Sequence, residues 1–231
     1  MKKERKFDRV ISKYHLVSLL LCVFSLLIFL KVLEDVLTDD SIVRLDLIVN
    51  GFMPHLWNSN LNIFMIFITN LMSPVTLISL SLILIAYIVY RKEWFNSSLF
   101  LFSLAFGYAS EFIIKIFVHR ARPENALLLL NDYSFPSGHA TLAVILFLFL
   151  AYVLNNDIKN KVLRYTSIGL CVFSFLLVAG SRVYLNVHWI SDVLAGLALG
   201  LFWFCFFLLI LKSKGIKRHF SHLFYAKEAR D

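Results

Sequence analysis

Apolar residues in this chain come in long blocks rather than in the alternating pattern of strands or the single stripe of a soluble helix. Six blocks, at 16–33, 74–90, 97–118, 139–154, 162–180 and 189–211, approach the ~20 residues that carry a helix across a bilayer core. The apolar stretch 61–90 is too long for one comfortable span at ~1.5 Å per residue. Ser73 and Pro74 resolve it as an N-cap and a first helical residue, so the second span begins there. Residues 61–72, interrupted by Asn62, Thr69 and Asn70, then form a separate interfacial or partly buried helix. The pattern predicts an all-α fold: a polytopic membrane helical bundle of six transmembrane helices with short helices outside it. No repeat, low-complexity tract or second domain interrupts residues 1–231, which read as one membrane-embedded domain.

Composition agrees, with 59% hydrophobic residues and 23 Phe in 231, more than a soluble globule carries. A net charge of +8 would suit a nucleic-acid partner, but the basic residues sit just outside the apolar blocks. Six precede the first block, two lie in "RKEW", three in "NNDIKNKVLR" and six in the tail from Lys212, 17 of the 23 together. With six spans these segments share one side, and the positive-inside bias makes it the cytoplasm, both termini included. This excludes nucleic acid as the expected partner and points to the plasma membrane. No small-residue cleavage pattern follows Leu30, so the first span reads as a retained signal anchor. Cys22, Cys171 and Cys205 lie inside apolar blocks and read as buried free thiols.

The opposite side receives residues 34–73, 119–138 and 181–188. The first segment is acidic, with Glu34, Asp35, Asp39, Asp40 and Asp46 against Arg44. Its residues 42–49 suit either a short amphipathic helix capping the bundle or an ordinary solvated loop.

Ionisable groups are costly within a span, roughly 2.5 to 3.5 kcal/mol at its centre, and here they gather at one end. Glu111 and Lys115 close the third span, Arg182 the fifth, and His188 and Asp192 open the sixth. Two apolar blocks separate His139 from Ser181, so the chain crosses and returns. Lys115, Arg122, Ser137, His139, Arg182, His188 and Asp192 can therefore converge whatever the count of earlier spans. Singly each has an ordinary explanation: Lys115 as a snorkelling cation, Arg122 as an interfacial anchor, His139 as a bundle histidine, Asp192 as the partner of Arg182. Together they form a site in a chain with only 16% charged residues.

Lys115, Arg122 and Arg182 make a pocket for a multiply charged anion, most economically a phosphoryl group. Pro136, Ser137 and Gly138 open a helix, whose free N–H groups and dipole point at the same spot. Gly138 permits close approach and Ser137 offers a hydroxyl. His188 and Asp192, four apart on a predicted helix, suit a nucleophile whose tautomer a carboxylate fixes, and His139 suits a general acid. Metal ligation by these groups ranks lower, since three cations repel a divalent ion and already supply the neutralising clamp.

"KIFVHRARP" (115–123), "PSGH" (136–139) and "SRVYLNVHWISD" (181–192) together resemble the three-part signature of the type 2 phosphatidic acid phosphatase family, which includes vanadium-dependent haloperoxidases. The resemblance implies phosphate binding by Lys115, Arg122 and Arg182, with Ser137 and Gly138 completing the cradle. It implies His139 as general acid, His188 as the nucleophile forming a phosphohistidine, and Asp192 orienting it, with no metal or cofactor. Asn186, where many relatives have Gly, is a peripheral difference. The implied activity is hydrolysis of a lipid phosphate or pyrophosphate at the extracytoplasmic face, as in bacterial phosphatidylglycerophosphate, undecaprenyl pyrophosphate or phosphatidic acid phosphatases. A phosphotransferase using the same intermediate stays open. A transporter is disfavoured because the polar residues avoid mid-membrane, and a haloperoxidase because the chain is so apolar. Glu111 reads as an ion-pair partner of Lys115.

Overall fold

Ser73 accepts the Thr76 N–H and Pro74 fills the first helical turn, so the long apolar stretch breaks where its cap sits. The computed structural model describes residues 2–212, and among these every regular element is helical. Helix α1 is Lys2–Leu37, α2 Ser41–Phe52 and α3 Ser59–Asn70, with a single 3₁₀ turn, Met53–Leu56, before α3. Then come α4 Pro74–Tyr90, α5 Trp94–Val118, α6 Gly138–Asp157, α7 Lys161–Tyr184 and α8 Ile190–Lys212. The basic tail beyond Lys212 lies outside the described residues.

Five helices, α1, α5, α6, α7 and α8, are each long and apolar enough to cross a membrane. Helix α4 has the bounds expected of the second span, but it qualifies only together with α3, across a 51° bend, as a broken span or a re-entrant loop. The reason is local: Met72 and Ser73 close turns onto Thr69 and Asn70, while Pro74 brings no N–H to continue the helix. The acidic segment takes the helical one of its two readings. Asp40 accepts the Ser41 N–H at 2.6 Å and starts α2, which packs on α1 and α8.

Helix α6 lies among α5, α7 and α8, while α1 runs along α8. Ala140, Ala143, Val144, Ile145 and Phe149 of α6 are buried, and Phe149 meets Phe100 of α5 with ring centroids 5.1 Å apart. The outward faces are apolar too: Leu20, Phe24 and Leu27 of α1 and Leu170 and Phe173 of α7 are exposed, as a lipid-facing surface requires. Small residues bring the central helices together. A Cβ on Gly196 of α8 would stand 2.5 Å from the Ser137 carbonyl oxygen, so α8 rests directly on the first turn of α6. Gly200, one turn on, lies likewise against the Thr141 backbone. Cys22, Cys171 and Cys205 are buried, and none of the three is in a disulfide among the described residues.

Candidate active site

Four helix ends meet at one end of this bundle: the last turns of α5 and α7 and the first turns of α6 and α8. Helix α5 stops at His119, whose φ of 51° is left-handed and whose N–H closes on the Lys115 carbonyl. The chain then doubles back, carrying Arg120 and Arg122 under the start of α8. Ser137 caps α6 through its hydroxyl, and its own N–H donates to the Asp192 carbonyl at 3.0 Å. That single backbone bond ties "PSGH" to the beginning of α8. Among the described residues, the Gly138 and His139 N–H groups have no protein acceptor, which leaves them for a ligand at the helix N-terminus.

Gly138 also leaves room for a neighbour: a Cβ there would lie 2.8 Å from Glu111 Oε1, which would have to shift. Glu111 in turn pairs with Lys115 Nζ at 2.9 Å, as its position one turn away suggested. The close approach that Gly138 permits is thus an approach to a carboxylate.

Arg182 is buried, and its Nη1 donates to Thr69 of α3 at 2.6 Å. Its Nε has no partner, and among the described residues no carboxylate pairs with it. A buried cation without a counter-ion is costly and is rarely kept without a ligand to neutralise it. Asp192, the sequence-level alternative partner for Arg182, instead accepts from Arg120 Nη1 at 2.6 Å.

His188 does not stand on α8, contrary to the expected i, i+4 helical pair. Helix α8 begins at Ile190, and His188 lies in the turn before it because Asp192 Oδ2 accepts the Trp189 N–H at 3.0 Å, capping the helix from within. The two side chains still meet, with His188 Nδ1 3.3 Å from Asp192 Oδ2. On its other side His188 Nε2 lies 3.1 Å from Arg122 Nη1. A guanidinium only donates, so Nε2 is the acceptor and the ring proton belongs on Nδ1, toward Asp192. Complete burial, then the charges of Arg182, Arg122 and Lys115, hold the His188 imidazole well below its ordinary value, hence neutral at pH 7. His139 stands within electrostatic reach of Arg182, His188, Lys115 and Arg122.

Residues 97–216 match the model of the PAP2 superfamily, more than half of the chain. The chain belongs to the PAP2 superfamily. It is 36% identical over 134 residues to "Phosphatidylglycerophosphatase B" of Bacillus subtilis (strain 168), a match covering 56% of this chain and 63% of that protein. The chain thus spans somewhat less than two thirds of that relative's length. Its fold matches the crystal structure of a transmembrane PAP2-type phosphatidylglycerolphosphate phosphatase from Bacillus subtilis with a TM-score of 0.73 and 29% identity, covering 84% of this chain and 98% of the other. Together with its apolar helices, this makes it a multi-pass membrane protein.

Three participants are given no role by the sequence reading. Arg120 bridges Asp192 and Asp46, donating through Nη2 to Asp46 Oδ2 at 2.6 Å, and lies over the Trp189 ring. Asp46, fully buried on α2, also accepts from the Ser191 N–H and hydroxyl. Asp132 donates nothing but accepts from Lys115 Nζ at 2.8 Å and from Arg122 Nη2 at 2.6 Å. Arg120 stood inside a quoted motif, yet nothing in its spacing distinguished it from a surface arginine. Asp46 is one of five acidic residues in the 34–73 segment, and nothing in the sequence singles out Asp132. Burial opposes ionisation of Asp132, but its bonds to Lys115 and the charge of Arg122 outweigh it and bring its carboxyl down to about 2. Asn186 has φ of 50°, a left-handed turn after α7 that Gly or Asn adopts most readily, and its side chain donates to the Asn50 carbonyl. Among the described residues no group of three or more His, Cys, Asp or Glu is arranged to hold a metal ion.

Proposed function

We propose that this protein is a lipid phosphate phosphatase acting on phosphatidylglycerophosphate, through a phosphohistidine on His188 at the extracytoplasmic end of the bundle. The observation that carries the reading is the buried, unneutralised Arg182 beside a neutral His188 and the free N–H groups of Gly138 and His139. A phosphoryl group is the ligand that satisfies all of them at once: its oxygens accept from the cations and the helix N-terminus, and its phosphorus faces the histidine. The substrate class follows the name of the Bacillus subtilis relative.

In the proposed sequence, His188 Nε2 attacks phosphorus while the bond to the lipid oxygen breaks. Protonated His139 gives a proton to that oxygen, and the phosphatidylglycerol product leaves as a free alcohol. Asp192 holds the Nδ1 proton and stabilises the positive ring. Water then attacks phosphorus, yields a proton to His139, and the P–N bond breaks to release inorganic phosphate and neutral His188. Lys115, Arg122 and Arg182, with the α6 N–H groups, stabilise the negative charge on the oxygens throughout, with no metal ion needed.

Sidedness rests on charge. Arg91, Lys92, Lys159, Lys161 and Arg164 lie at the end of the bundle away from the histidines, which the positive-inside bias assigns to the cytoplasm. A lipid head group would enter from the outer leaflet with its tails still in the bilayer.

Phosphate release by detergent-purified protein from phosphatidylglycerophosphate, undecaprenyl pyrophosphate and phosphatidic acid, in EDTA, tests this. We expect release fastest from phosphatidylglycerophosphate, undiminished by EDTA and absent in His188→Ala. Full activity in His188→Ala would overturn the nucleophile; loss in EDTA would overturn the metal-free route.

A further inference from the structure

The two rim cations of the phosphate site are already engaged, and by one carboxylate. Asp132 Oδ2 takes Lys115 Nζ at 2.8 Å and its Oδ1 takes Arg122 Nη2 at 2.6 Å. Two oxygens of one group bridging two cations is the arrangement that two phosphoryl oxygens would adopt. Arg182, by contrast, pairs with no carboxylate among the described residues, and its Nε has no partner.

We propose that Asp132 is an internal stand-in for the substrate's phosphoryl group, holding the Lys115 and Arg122 half of the site until the substrate displaces it and reclaiming that half as phosphate leaves. The inference rests on the phosphate-site reading above.

Three observations support an exchange rather than a fixed ion pair. The Asp132 side chain is 55% exposed, at the rim of an otherwise buried cluster, so it has room to swing outward. Both cations stay in place without it. Lys115 keeps Glu111, and Arg122 keeps backbone acceptors at Val187 and at Asp132 itself. The carboxylate also remains ionised through any working pH, so the competition never lapses. A carboxylate carries one charge where a phosphomonoester carries close to two, so the substrate wins the exchange, though with less affinity than a vacant site would give. The same residual competition favours release of inorganic phosphate after hydrolysis.

The test compares full-length wild type, Asp132→Asn and Asp132→Glu in detergent, with inorganic phosphate as competitive inhibitor. Asp132→Asn keeps the shape and removes the charge. We expect its inhibition constant for phosphate and its KM to fall at least about tenfold, kcat to fall with slower product release, and Asp132→Glu to stay near wild type. A purely structural ion pair gives the opposite pattern: lower thermal stability and activity, with phosphate affinity unchanged or weaker. That result overturns the inference. Arg182→Gln is the control for the underlying reading. If phosphate inhibits wild type and Arg182→Gln weakens it while Asp132→Asn does not strengthen it, only the role of Asp132 fails. If phosphate does not compete in any of them, the phosphate site fails too.

Discussion

Arg120 donates to Asp192 Oδ1 at 2.6 Å, while the other oxygen of the same carboxylate faces His188 Nδ1 at 3.3 Å. The carboxylate is therefore held from behind, and Arg120 is itself shared with Asp46 and Ser191. Replacing Arg120 by Gln leaves two buried carboxylates without their cation. Breaking one partner of such a network costs about 3 to 5 kcal/mol. We expect Arg120→Gln to lower both the unfolding temperature in detergent and kcat, and adding Asp46→Asn to recover part of the stability. A double-mutant cycle on thermal unfolding measures this, and strict additivity would argue against the shared clamp.

Asp192→Asn retains the shape but loses the preference for the proton on Nδ1. Turnover is expected to drop roughly 10³- to 10⁴-fold, by analogy with the orienting carboxylate of triad enzymes. Inhibition by inorganic phosphate should persist, because Arg182 and the α6 N–H groups remain. Comparing kcat with the phosphate inhibition constant separates the two effects.

Arg182→Gln carries a trade-off in opposite directions. Removing a buried charge that lacks a counter-ion should leave the unfolding temperature unchanged or raise it. The added stability that phosphate confers on wild type should shrink, with affinity weakened about 30-fold, as for one charged hydrogen bond. Thermal scans with and without phosphate read both quantities.

The His188 imidazole lies below its ordinary value, so it loses activity by protonation only at correspondingly lower pH. The acid limb of kcat/KM should therefore sit below about pH 6.5 for the enzyme group. Burial is the main cause and the Arg182 charge the next, so the residual activity of Arg182→Gln should show that limb moved to higher pH. Ionisation of the substrate is common to both proteins, and the difference between their profiles isolates the histidine.

Gly196→Ala would push a methyl group to 2.5 Å from the Ser137 carbonyl oxygen, a backbone atom that cannot rotate away. Helix α8 must then move from α6, stretching the Ser137 to Asp192 backbone bond. Loss of activity should exceed loss of stability; Gly169→Ala, where a Cβ meets nothing within 4 Å, is the control.

The parts of this molecule that were legible in its sequence are those written locally. The hydrophobic blocks marked the spans, Ser73 and Pro74 marked a helix start, and the order of the three motifs brought Lys115, Ser137, Arg182 and His188 to one end. What was not legible depends on approach between distant segments. Asp46 looked like one loop carboxylate among five until α2 folded against α8 and buried it. Arg120 acquired meaning only from that carboxylate, and Thr69, in the sequence a mere interruption of an apolar run, from Arg182. The pairing of His188 with Asp192 was foreseen at the right spacing but on the wrong element. A helix-capping role for Asp192 makes α8 begin at Ile190, two residues after the histidine, and periodicity does not register that. The departure at Asn186 is explained by its left-handed φ, a constraint of backbone shape rather than chemistry.

The Ser137 to Asp192 bond joins main chain to main chain. Short of proline at 137, which has no N–H to donate, no side-chain replacement at either residue deletes it, so the distance between the two halves of the site is a property of how the helices are stacked and not of which residues decorate them. The connection between α6 and α7 at Ile158 and Lys159, at the far end of α6, carries no such obligation; Asn160 is held only as the cap of α7. Its length is free to drift ahead of that cap, and this is where the chain can absorb insertions or a fused reporter while its working end keeps its register.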